Sequence, residues 1–193
     1  MVVLSGEMFD AIEVNAARTG DYKDAAVRMS QLAAQASTGG ISRAEAHMRA
    51  GEQWLLADEP AAAAGEFRAA IADGGTTLDD PRVPLARAMF ALGQPAEADS
   101  LLRELTACGG RSLPHTCNLV AELLIEQRDL PGAQDWATAG VEACAGGRDP
   151  GEMPMLLRLR YRIRVDLGLP EDDYDKMLDS TQRDRQDEPA PEG

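Results

Sequence analysis

Aromatic residues make up only 4% of this 193-residue chain, although hydrophobic residues reach 44%. Large ring clusters are thereby excluded as the main packing device, and the abundance of alanine points to small side chains and close helix approach. Cysteine is scarce as well. Cys108, Cys117 and Cys144 are an odd number without a C-x-x-C pair, which fits reduced thiols better than a disulfide framework. Two histidines among them give no zinc spacing. Basic residues are the under-represented charge: 19 Lys and Arg face 33 Asp and Glu, for a net charge of −14, and acids exceed bases both before and after Gly168. A surface of that sign repels phosphate backbones and anionic lipid, so neither nucleic acid nor a membrane is an expected partner. No run approaches about eighteen apolar residues, and the longest strongly apolar stretch, LVAELLI, is interrupted by Glu122. The opening MVVLSGEMFD carries no basic run, apolar core or cleavage signature of a secretory signal. These absences describe a soluble, cytoplasmic protein, and the Ala-, Gly- and Arg-rich composition is that of a high-GC bacterium.

What the chain does contain is a repeat. Gly-Gly pairs fall at Gly39-Gly40, Gly74-Gly75, Gly109-Gly110 and Gly146-Gly147, spaced by 35, 35 and 37 residues. Each follows an Ala-rich helical pattern, and glycine just past a last helical turn adopts the left-handed conformation without steric cost. A second series marks turns before the second helix of each unit: Gly20-Asp21-Tyr22, Asp58-Glu59-Pro60, Gly93-Gln94-Pro95, Arg128-Asp129-Leu130 and Gly168-Leu169-Pro170, spaced by 38, 35, 35 and 40. The clearest unit covers 42–75. Ser42 and Glu45 have the spacing of a capping box, Pro60 suits a first helical position, and Gly74-Gly75 ends the second helix. Small residues at Gly51 and Ala63, beside Trp54, Leu55, Phe67 and Ile71, would let the two helices approach closely and interlock.

Five helix pairs follow, at roughly 5–37, 42–73, 80–108, 113–145 and 153–185. None should stand alone, because isolated helices of about a dozen residues are marginal in water and must stack on neighbours. Residues 156–167, LLRLRYRIRVDL, alternate apolar and charged positions with the period of a strand. Helix is expected there nonetheless, since nothing else in the chain alternates well enough to pair with it and Leu and Arg are good helix formers. Arg160 and Arg164 would then lie near the apolar arc, and would need stems laid over neighbours or heads met by carboxylates. The tail 186–193, QDEPAPEG, is acidic, proline-containing and expected to be disordered.

At these turns the chain resembles the tetratricopeptide repeat family, whose helix pairs recur near 34 residues with a Gly-Asp-Tyr-like turn and a small residue three further on. The match is best over 42–110. Gly51, Trp54, Ala63, Phe67 and Ala70 in one unit, and Leu85, Ala86, Ala98 and Leu102 in the next, fall at that family's packing places. Glycine doublets replace its usual proline after the second helix, and Glu13 and Tyr161 occupy small-residue places. The resemblance implies an all-α fold: one α-solenoid domain over 1–185, a right-handed superhelix of about five antiparallel helix pairs.

No catalytic constellation is present. His115 and Cys117, two apart on a helix, point to different faces, and the resemblance puts Cys117 and His47 at equivalent packing places. No phosphate-loop or dinucleotide fingerprint occurs. Glu171, Asp172, Asp173 and Asp175 lack the spacing of a calcium loop and read as a solvated helix start. Neither enzyme activity, cofactor nor metal is therefore expected. In the family the first helix of each pair lines the concave face, and the resemblance places a peptide-binding groove on Met48, Glu52, Leu55, Arg87, Phe90, Asn118, Glu122, Ile125, Arg158 and Arg162, with Glu45, Val83 and Val165 alongside. Leu55, Phe90, Ile125 and Val165 would form an apolar stripe suited to an extended peptide or amphipathic helix, or would pack between adjacent pairs. The family's Lys and Asn pattern for gripping a carboxylate is not reproduced, although Arg87, Arg158 and Arg162 have the fork for it, and the acidic tail could itself fold onto the last two. The expected function is a non-enzymatic adaptor that holds a segment of a partner protein, with a self-associating structural module, such as a homodimer, as the alternative.

Overall fold

A computed structural model of the chain describes residues 2–178. The tail at 186–193 and the end of the fifth expected pair, 179–185, lie outside the described residues. The chain forms two compact units, Met1–Leu105 and Thr106–Gly193.

The first unit begins with β1 (Val2–Leu4), α1 (Gly6–Thr19), α2 (Tyr22–Ala34) and β2 (Ala36–Gly40), the two strands pairing in parallel. There follow α3 (Arg43–Leu56), α4 (Pro60–Asp73), α5 (Arg82–Ala91) and α6 (Pro95–Ala107), whose last turn crosses into the second unit. The second unit carries α7 (Pro114–Glu126), α8 (Leu130–Ala145), α9 (Met153–Asp166) and a short α10 at 173–178. The described chain is thus helical except for that strand pair and its connections, and the helices pack on their neighbours, α2 on α3, α3 on α4 and α4 on α5, then α7 on α8 and α8 on α9. Residues 156–166 are helical, as expected for the 156–167 stretch. The first glycine doublet departs from expectation: α2 ends at Ala34, and Ala-Ser-Thr-Gly-Gly, poor in helix formers, forms β2 instead.

All five expected inter-helix turns contain a left-handed residue, at Gly20 (φ 78°), Asp58 (58°), Gly93 (70°), Arg128 (62°) and Gly168 (65°). The last four close in the same way. The N–H of the residue after the left-handed one donates to the carbonyl five residues back, Glu59 to Trp54, Gln94 to Met89, Asp129 to Leu124 and Leu169 to Arg164, each at 2.9 Å. These bonds satisfy carbonyls that the helix end would otherwise leave open. Asp58 and Arg128 hold this conformation with a Cβ, at a cost of about 1–2 kcal/mol each.

Packing rests on small residues, as the composition requires. Ala46, Ala50, Ala63, Ala64 and Ala70 are buried, with Phe67 as the large side chain fully enclosed among them. A Cβ on Gly51 would lie 2.4 Å from Cε1 of Phe67, so glycine there is what lets the ring sit against α3. Gly140 plays the same part in the second unit, where a Cβ would meet Cys117 and Leu156 at 2.9 Å. Ile71, read as an interlocking residue, is 41% exposed, and Phe67 makes that contact without it. Ser42 caps α3 by accepting from the N–H of Glu45 at 2.8 Å, but the Glu45 carboxylate turns to the N–H of Leu78 at 2.9 Å. Half of the capping box is formed, and its other half ties down the following loop.

Two glycine substitutions separate close approach from helix propensity. Gly51→Ala is expected to cost about 1–3 kcal/mol through overpacking against Phe67. Gly65→Ala, where nothing lies within 4 Å of an added Cβ, should gain about 0.5–1 kcal/mol. Urea unfolding followed by circular dichroism measures both, and equal effects would contradict the packing account.

Candidate functional site

The spacing of the expected groove residues puts them on one face of each helix: Met48, Glu52 and Leu55 on α3, Asn118, Glu122 and Ile125 on α7, Arg158, Arg162 and Val165 on α9, each set at i, i+4, i+7. Their exposure is uneven. Met48 and Asn118 are 3% and 4% exposed and serve as floor rather than as contact surface. Leu55, Arg87, Phe90 and Ile125 are half-buried, while Glu52, Glu122, Arg158 and Arg162 are exposed. The apolar stripe therefore divides, Leu55 and Phe90 belonging to the first unit and Ile125 and Val165 to the second.

Leu55, Phe90, Ile125 and Val165 share one local geometry. Each precedes the left-handed turn residue by three positions, and its carbonyl accepts that residue's N–H: Asp58 to Leu55, Gly93 to Phe90, Arg128 to Ile125 and Gly168 to Val165, at 2.9–3.0 Å. The same backbone bond thus fixes each of the four side chains at the same place on its helix.

Around the α3 face of the first unit lies a group of charges that the sequence does not announce. Arg49 donates through Nε and Nη2 to Glu13 of α1 at 2.7 and 2.5 Å and through Nη2 to Asp10 at 2.6 Å, with its guanidinium 5.4 Å from the Phe9 ring centre. One turn on, Glu52 has its carboxyl pushed up to about 7, first by desolvation and then by the carboxylates of Glu13, Glu45 and Asp79, against the opposing pull of Arg49. Glu52 touches water and is nevertheless flanked by protein. Glu13 is the main partner of Arg49.

In the second unit α9 folds because its inward arginines find carboxylates. Arg160 is 3% exposed, yet its guanidinium bonds both Asp172 and Asp175, its Nε donates to Thr138 at 3.1 Å, and Tyr174 lies 5.0 Å away. Arg164 pairs with the same two acids. Asp172 also accepts from the N–H groups of Tyr174 and Asp175, capping α10. The acids read as a solvated helix start thus split. Glu171 and Asp173 are exposed, whereas Asp175, 6% exposed, and Asp172 neutralise buried cations. Hydrogen bonding from Arg160 holds the Asp172 carboxyl down to about 2.

The residues considered for chemistry are apart. His115 is exposed and lies 3.7 Å from Glu152, while Cys117 is buried, its thiol pushed up to about 11 by burial and donating to the Arg111 carbonyl at 3.3 Å. Among the described residues, no group of three or more His, Cys, Asp or Glu is placed to hold a metal ion. Nor, among them, is any helix long and apolar enough to cross a membrane. No protein-family model matches the chain, and no curated protein is significantly similar to it.

The two shifted carboxyls make opposite contributions to stability. Glu52 titrates higher folded than unfolded, so the native state binds its proton more tightly and stability falls as pH rises from 4.5 through 7. Glu52→Gln is expected to flatten that decline and to melt above wild type at pH 8. Asp172 titrates lower folded than unfolded, so its contribution is present above pH 3.8 and is lost as pH falls through about 2. The melting temperature of Asp172→Asn should accordingly lie below wild type at pH 6 and converge with it towards pH 2.

Proposed function

We propose that the chain is a tetratricopeptide-like adaptor, a right-handed solenoid of antiparallel helix pairs that holds a segment of a partner protein on the exposed faces of its first helices. The observation that carries the reading is the recurrence of Leu55, Phe90 and Ile125, three half-buried apolar side chains spaced by 35 residues and fixed by the same turn bond. Apolar groups flanked by fixed charges, here Glu52, Arg87 and Glu122, are what an extended peptide or amphipathic helix needs for affinity and register. The chemistry of such a module is non-covalent and needs no cofactor. Cytoplasmic location and a bacterial source belong to the same reading, resting on composition.

A second reading, self-association, is favoured by a groove of about 500 Å³ between α1 and α2, where Met8, Ile12 and Leu32 form an apolar lining. Val14, 69% exposed, lies on the same helix pair.

Capture from lysate separates the two. Phe90→Ser with Ile125→Ser should abolish retention of a partner while leaving the helical circular-dichroism signal intact, and each single variant should weaken it by about ten-fold. Retention unchanged in the double variant would remove these side chains from the binding face. Recovery of the chain's own copies alone would favour self-association.

A further inference from the structure

Although α1 and α2 are joined by Gly20 and Asp21 alone, they part enough to leave a slot of about 500 Å³, continuous with the core of the first unit. That size lies within the roughly 300–1,000 Å³ of small-molecule sites. The lining runs from Met8 to Asn15 on α1 and from Arg28 to Gln35 on α2, two helical turns or about 10 Å on each side. The connection gives the slot a direction. Asn15 and Arg28 stand nearest the turn and share one end, while Met8 and Gln35 share the other, where β1 contacts α2. Between them Ala11, Ile12 and Leu32 form an apolar floor, with Ile12 only 7% exposed and Leu32 half-buried against the core.

Charge is confined to the turn end. Among the described residues that line the slot, Arg28 is cationic and none is acidic, in a chain with 33 acids against 19 bases. The Arg28 guanidinium lies 3.9 Å from Asp24 with both side chains more than half exposed, a pairing too long for a hydrogen bond and of little energetic weight. Its fork is therefore open to a second acceptor. Beside it, Asn15 has its Oδ1 occupied by Nη2 of Arg18 at 3.2 Å, so its amide nitrogen remains to donate.

We propose that this slot binds a medium-chain apolar carboxylate, its head group on Arg28 and Asn15 and its chain laid along Ala11, Ile12 and Leu32 towards Met8. The inference stands apart from the adaptor reading, whose apolar groups Leu55, Phe90 and Ile125 belong to other helices. A carboxylate fits better than a phosphate dianion, because one guanidinium beside a neutral amide balances one charge and the acidic remainder of the chain repels a second. The same groove supports the self-association reading, and two observations favour a small molecule over a second copy in it. The apolar floor is only two turns long, and two copies of net charge −14 repel one another. A lipid held in an anionic membrane is disfavoured on the same grounds of length and charge.

Isothermal titration calorimetry on the full chain at pH 7, with octanoate, octanol, butanoate and dodecanoate as probes, tests the proposal. Octanoate should bind about ten-fold more tightly than octanol, by a margin that shrinks as salt is raised, and at least about ten-fold more tightly than butanoate. Dodecanoate should gain little over octanoate, because its added carbons outrun the floor. Arg28→Gln should bring octanoate down to the affinity of octanol, and Arg28→Lys should restore part of the difference. Ala11→Leu, at an exposed position that lines the slot, should fill it and abolish binding of both probes while the helical circular-dichroism signal stays unchanged. Absent octanoate binding, equal affinity for octanoate and octanol, a preference that survives Arg28→Gln, binding that survives Ala11→Leu, or affinity that climbs steadily from octanoate to dodecanoate overturns the proposal. So does sedimentation showing a dimer that Ala11→Leu dissociates, because the occupant is then a second copy.

Discussion

A backbone N–H turned back onto a carbonyl at each helix end is the constraint on which the rest of the structure depends. Once residue 58, 93, 128 or 168 adopts a positive φ, the chain reverses within a few residues and the next helix starts in a fixed register. That register decides which side chains face a neighbouring helix and which face water. Gly51 is brought against Phe67, and Leu55, one turn further along α3, is held at the edge of solvent. The turns thus set both the interior and the candidate binding face, although none of their own side chains need take part in either.

A chain with few aromatic residues has to obtain cohesion from proximity. Alanine removes little apolar area per residue, so the contribution of each contact is small and depends on how closely the backbones approach. Gly51 and Gly140 provide that approach where a Cβ would collide with a side chain of another helix. Larger side chains are spent sparingly and fully enclosed, as with Phe9, Met29 and Phe67 in the first unit and Leu123, Leu156 and Ile163 in the second. Charge then supplements what apolar burial leaves undone. The Arg49 cluster joins α1 to α3, and the Arg160 cluster joins α9 to α10.

Much of this was legible in the sequence, because helix ends leave local signatures. Glycine at 20, 93 and 168 and Pro60 after Asp58 suit the conformations they adopt, and the period they define locates the helices from α3 to α9. Local rules also left two ways to accommodate Arg160 and Arg164, stems laid over neighbours or heads met by carboxylates, and the second is the one formed. They did not say which acids, since Asp172 and Asp175 look the same in sequence as the exposed Glu171 and Asp173, and only the docking of α10 distinguishes them. Arg49 and Glu13 are 36 residues apart, and no local pattern links them. The end of α2 was placed too late: the first pair was expected to reach 37, but α2 ends at Ala34, three residues sooner, and Ala36–Gly40 pairs with β1 instead. Within the candidate site, helical spacing gave the face but not the depth, which is why Met48 and Asn118 belong to its floor.

Arg160 carries an implication for the order in which the protein is made. Its two carboxylate partners lie 12 and 15 residues downstream, beyond the turn at Gly168. As the chain leaves the ribosome, α9 is complete before either acid has been added. Docking it at that moment would bury guanidinium groups with no counter-charge, at a cost of several kcal/mol per ion. On that cost, α9 is stabilised in its docked position only together with α10. A chain cut before Asp172 would leave Arg160 and Arg164 without either of these carboxylates, so the last short helix is part of what lets α9 pack.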